Sequence, residues 1–155
     1  MRELLLVYFR RMLRFFFTLD EVPAELVYDE STAYYRLDGT LGLAHGTQVV
    51  FEETALPVVE IAEWLSVWWM SQQPARVYEP DWADPDRGPL LVMAPAGGSC
   101  HRLTHSDGDD VAQWTAERTE WEKAVTQFRE DMRQAVLERY GVRLDERLPS
   151  FKPFG

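Results

Sequence analysis

The stretch from Thr54 to Pro74 reads TALPVVEIAEWLSVWWMSQQP, and its reading decides the architecture. At about 100° per residue, Val58, Ile61, Ala62, Leu65, Trp68 and Trp69 fall on one broad helical face, with Trp64 and Met70 on its flanks. Glu60 and Glu63 occupy the narrow polar strip that remains. A helix so nearly apolar all round belongs at the centre of a core, showing water one line of carboxylates. Thr54 reads as its N-cap, Pro57 fits a first turn that needs no N–H there, and Pro74 marks the stop.

On the N-terminal side of this helix the pattern changes to period two. Leu13, Phe15, Phe17 and Leu19 share one face of an expected strand, with Arg14, Phe16 and Thr18 opposite. DEVPAELVYDES, residues 20–31, reads as a connection with a short edge strand at Leu26 to Tyr28. A three-stranded meander is then expected: Ala33 to Leu37, a turn at Asp38-Gly39, Leu41 to Ala44, a turn at His45-Gly46, and Thr47 to Glu52.

On the C-terminal side, Val77 to Pro89 holds three of the nine prolines and four acidic residues, and reads as a loop. Leu90 to Ala94 and Cys100 to His105 read as strands joined by the glycine-rich Pro95 to Ser99. SDGDD, residues 106–110, can close another hairpin or cap a helix; residues 111–117 read as a last strand because a capping box marks a fresh start at Thr119, the alternative being one helix from Asp110 through Val111 and Trp114. A long helix follows, with Thr119 and Glu122 as a capping box, Trp121, Val125, Phe128, Met132 and Ala135 as its stripe, and Gly141 as its stop. The tail, with Phe151 and Phe154, is expected to fold back on the body. These elements predict a single α+β domain over residues 1–155: an antiparallel sheet of about five to seven strands packed against the central helix and the C-terminal helix.

Composition narrows the function classes. The chain has 155 residues, 46% of them hydrophobic, which suffices for a core without disulfides or metal. Cys100 is the single cysteine, so no intrachain disulfide can form and the cytoplasm is the expected compartment. Acidic residues outnumber basic ones 26 to 16, giving a net charge of −10. That field repels phosphate backbones and anionic lipid and attracts basic proteins, so neither nucleic acid nor membrane is the expected partner. Residues 1–20 carry no apolar run long enough for a membrane span. Only Lys123 and Lys152 are lysines, and such preference for arginine suggests a GC-rich, bacterial genome.

The chemistry-bearing residues are few. Cys100, His101 and His105, followed by Asp107, Asp109 and Asp110, are the one cluster with zinc-type ligands. On an extended strand two histidines four apart lie about 13 Å apart, too far to share an ion. No metal and no cofactor is expected, and the segment reads as a half-exposed hairpin. Cys100 and His101 point to opposite faces of a strand, so the histidine cannot activate the thiol. Glu52-Glu53 and Glu60 with Glu63 read as solvated carboxylates. More informative is Trp82, set among Asp81, Asp84 and Asp86 in the proline-rich loop: an aromatic anchor inside an acidic patch, the chemistry of a protein-binding surface.

The run from Tyr34 to Trp69, YYRLDGTLGLAHGTQVVFEETALPVVEIAEWLSVWW, followed by a hairpin and a long C-terminal helix, resembles small α+β immunity proteins of bacterial polymorphic-toxin systems. The likeness is one of layout and carries over no functional residue. It implies binding and blocking of a toxin domain, commonly through acidic surface. The expected function is therefore that of a non-catalytic acidic inhibitor of a basic toxin or enzyme. Two alternatives come from other classes: a small metal-dependent or hydrolytic enzyme using His101, His105 and Asp107, and a homo-oligomer subunit that buries the N-terminal phenylalanines.

Overall fold

The computed structural model describes residues 12–22, 36–80 and 88–152. The first sheet has three antiparallel strands in the order β1 (Leu13–Phe17), β2 (Asp38–His45) and β3 (Gln48–Pro57). Helix α1 (Val58–Ser71) follows directly. The second sheet is a four-stranded antiparallel meander of β4 (Arg76–Tyr78), β5 (Leu91–Pro95), β6 (Cys100–Asp107) and β7 (Asp110–Glu117). It runs into the long helix α2 (Arg118–Tyr140), the single turn α3 (Leu144–Arg147) and a 3-10 turn, Pro149–Phe151. The protein is an α+β fold with antiparallel sheets and a long C-terminal helix.

Helix α1 is the centre that its sequence predicts. Ile61, Leu65 and Trp68 are fully buried, and Met70 is exposed near its end. Burying a side chain of this size contributes about 1.5–3 kcal/mol, so this face fixes where both sheets lie. Helix α2 lies beside α1 and also against β1, where Phe15 packs on Trp121 and Phe128 at ring separations of 6.2 and 5.2 Å. Phe17 adds an edge-on contact with Phe128 at 5.6 Å. Phe15 and Phe17 of β1 thus pack against the chain's own core. Among the described residues no helix is long and apolar enough to cross a membrane.

Several expectations need correction. The strands form two sheets and not one, because β3 comes close to β7 but makes no ladder with it. Strand β3 is also poorly shaped for further pairing. Its register slips by one residue twice, opposite Gly39/Leu41 and opposite Leu43/Ala44. The first slip places Ala55 at φ 57°, the left-handed position of a bulge.

Asp38 and Gly39 lie inside β2 and do not form a turn. A Cβ at Gly39 would strike the Thr18 carbonyl, so this glycine permits close backbone approach and does not supply positive φ. The strand expected at Ala33 to Leu37 falls mostly outside the described residues, and its last two residues, Arg36 and Leu37, are not in a strand. The edge strand expected at Leu26 to Tyr28, residues 1–11 and Phe154 also lie outside them. Val77 and Tyr78, expected in a loop, belong to β4.

Both expected N-caps are displaced. Thr54 lies in β3 and the cap position of α1 is Pro57; Glu117 takes that position for α2, which begins before Thr119. Neither helix has a side-chain cap bond, because each grows directly from a strand. At the second junction the ladder itself serves, with Arg118 N–H donating to the Ser99 carbonyl at 2.9 Å. The expected stop is borne out: Gly141 has φ 69° and its N–H donates to the Leu137 carbonyl. The tail is held as well, through Arg129, which donates to the Ser150 carbonyl at 2.6 Å and to that of Lys152.

Candidate functional site

All three histidines of the chain pack ring to ring across element boundaries. His45 of β2 stacks on Trp114 of β7 at 4.8 Å, and His105 of β6 lies flat on Phe51 of β3 at 4.2 Å. His101 meets the edge of Trp68 of α1 at 5.4 Å. The first two contacts join the sheets, and the third joins the second sheet to the central helix. His101 and His105 are buried, which corrects the expected half-exposed hairpin: odd positions of β6 point inward.

Burial pushes the His101 imidazole below its ordinary pKa, the Arg118 guanidinium adds to that shift, and a backbone hydrogen bond with Pro74 opposes it. Arg118 itself lies 4.6 Å over the Trp68 ring. Trp121 Nε1 donates to the His101 carbonyl at 3.0 Å, locking the strand to α2. His105 Nε2 is 3.5 Å from a Glu53 carboxylate oxygen. The two imidazoles therefore address different partners, and Cys100 and Asp107 are half-exposed and exposed. Among the described residues no three His, Cys, Asp or Glu side chains converge as a metal site.

A different constellation forms where α1 passes β4. A groove of about 210 Å³ is lined by Glu60, Glu63, Trp64, Arg76, Val77, Tyr78 and Glu79. Glu60 and Glu63 are one helical turn apart, as their spacing requires, and β4 brings Glu79 to the same groove. Three carboxylates thus face one guanidinium, and Arg76 Nη1 donates to the Trp64 carbonyl at 3.2 Å. The Trp64 and Tyr78 rings meet edge to face at 5.9 Å. Trp64 Nε1 donates to the Val77 carbonyl at 3.0 Å, so the indole both builds the wall and holds β4 to the helix. This arrangement can attract a cation: the carboxylates supply charge at the rim, and the buried Trp64 and Tyr78 rings supply a rigid floor.

Asp81, Trp82, Asp84 and Asp86 lie outside the described residues. Their loop departs from the end of β4, next to Glu79, and its far side returns at Leu90, whose N–H donates to the Tyr78 carbonyl at 3.0 Å. The groove is therefore at the root of that loop. Glu60 and Glu63, expected as a solvated strip, line this groove together with Arg76, Tyr78 and Glu79, which are not among the expected site residues. The alternation in Arg76-Val77-Tyr78 was the available signal, too short to stand out beside the prolines that follow.

A second groove, of about 430 Å³, is lined by Trp69, Met70, Gln72, Arg118 and Glu122, between the end of α1 and the start of α2. Arg118 and Glu122, one turn apart on α2, pair at 3.4 Å along one wall, so its two charges are already paired. Compared with family models, with curated proteins and with solved structures, the chain matches none.

Proposed function

We propose that this chain is a non-catalytic acidic binding protein that neutralises a basic toxin or enzyme, in the manner of an immunity protein. The observation that carries the reading is the groove between α1 and β4, where Glu60, Glu63 and Glu79 border Trp64 and Tyr78 at the root of the Asp81–Asp86 loop. In a chain of net charge −10 this patch offers long-range attraction to a basic surface, and Trp82 of the adjoining loop supplies the aromatic contact at short range. Charge of this kind speeds encounter, and desolvated aromatic anchors slow escape.

The test is co-expression with the products of the neighbouring genes, among which a basic protein is the expected partner. A stoichiometric complex in which the partner's activity is suppressed is the expected result; separate elution with the partner fully active refutes the reading. Within such a complex, neutralising Asp81, Asp84 and Asp86 slows association. Trp82→Ala speeds dissociation, at a cost of about 2 kcal/mol.

A further inference from the structure

A sheet with free ends must protect its outer strands, since each presents a row of unpaired N–H and C=O groups. Three of the four outer strands here are poor templates. β1 has five residues and packs on α2. β3 is interrupted by two register slips and by Ala55 in the left-handed region. β4 has three residues, and its outward Val77 carbonyl is taken by the Trp64 indole.

β7 differs in length and in register, and β3 approaches it without forming a ladder. It pairs with β6 over all eight of its residues without a slip. Arg118 N–H donates to the Ser99 carbonyl, which makes that pair, and every second pair along the ladder, the hydrogen-bonded kind. The backbone groups of Asp110, Ala112, Trp114 and Ala116 therefore face β6, and those of Val111, Gln113, Thr115 and Glu117 face outward. No described residue bonds them. Their side chains are exposed, Val111 by 63%.

We propose that β7 is a docking edge that takes one extended segment of a basic protein as an added strand. Charge chooses the occupant. Asp107, Asp109 and Asp110 flank one end of β7 and Glu117 the other, while Val111, Gln113 and Thr115 between them are neutral. The complementary segment is β-branched or apolar at alternate positions, with lysine or arginine at its ends. A second copy of this chain brings another −10 to the same edge and is disfavoured. The inference shares with the proposed function only the basic character of the partner; it places the contact on the opposite edge of the sheet from the groove.

Two synthetic peptides of alternating valine and threonine, one ended with lysines and one with glutamates, test it against the full chain. The readouts are amide hydrogen exchange and amide NMR shifts. The expected result is fast exchange at Val111, Gln113, Thr115 and Glu117 in the free chain, and protection of these amides by the lysine peptide. Gln113→Pro removes an outward N–H and leaves the ladder to β6 intact, so it should keep its melting temperature and weaken binding more than about tenfold. Should that variant fold poorly, Val111→Lys repels the same peptide without touching the backbone.

Slow exchange of these amides in the free chain overturns the proposal, because the edge is then already covered. So does a lysine peptide that binds only away from β7, or one that does not bind. Equal binding of the glutamate peptide at β7 overturns the basic occupant alone. A chain that passes the peptide test but forms no complex with its co-expressed neighbour refutes the proposed function and leaves the docking edge standing.

Discussion

β4 and β7 are the two outer strands of one sheet, and the chain treats them in opposite ways. β4 is three residues long, and Trp64, 5% exposed, closes its outer side with an indole N–H. β7 is eight residues long, and the backbone groups of four alternate residues face outward. The difference teaches where a binding surface can arise. At β4 the helix uses the backbone for stability and leaves carboxylates at the rim over buried rings, so recognition there is by charged side chains. At β7 the backbone itself remains available.

The largest expected effect falls on the closed edge. Trp64→Ala removes a buried ring and leaves the Val77 carbonyl without its donor, and should cost about 3–5 kcal/mol in a denaturant titration. Val111→Ala at the open edge should cost less than about 0.5 kcal/mol. Similar losses at both sites would erase the distinction. Trp64→Phe isolates the hydrogen bond, since most of the burial survives, and should cost about 1 kcal/mol.

The strand between them supplies a pH test. His101 has its pKa lowered in the folded chain, first by burial and then by Arg118. The unfolded chain therefore binds more protons below the ordinary value of about 6.5, so His101 contributes full stability above that pH and loses it as the pH falls through the folded value. Urea midpoints should fall between about pH 7.5 and about pH 5.5, and His101→Gln should show a shallower fall. An unchanged slope would place the titration elsewhere. The smallest effect belongs to the bulged edge: Ala55→Gly relieves a left-handed alanine and should stabilise the protein by about 0.5–1 kcal/mol. A loss of stability would mean that the φ of Ala55 is relaxed.

Much of the frame was legible in the residues. The apolar face of α1 places Ile61, Leu65 and Trp68 at the centre, and Gly141 stops α2 as a glycine at that position should. What was not legible has physical causes. Asp38-Gly39 resembles a turn because glycine serves both positive φ and close packing, and only the Thr18 carbonyl tells which. Thr54 and Thr119 resemble caps, but a strand running straight into a helix needs none. Whether seven strands make one sheet or two depends on which edges meet, a non-local fact. The groove was half legible: Glu60 and Glu63 share a helix face by spacing, while Glu79 joins them only because β4 runs beside α1. The burial of His101 and His105 follows from the register of β6, which the sequence allowed on either face.

The central claim is that an acidic surface recruits a basic protein, and the salt dependence of association tests it most directly. With the co-expressed partner in hand, the association rate of the wild-type chain should fall at least about tenfold between about 0.05 and about 0.5 M salt. A variant carrying Glu60→Gln, Glu63→Gln and Glu79→Gln should associate more slowly at low salt and respond less to added salt. An association rate indifferent to salt, and equal in the two proteins, would contradict the account.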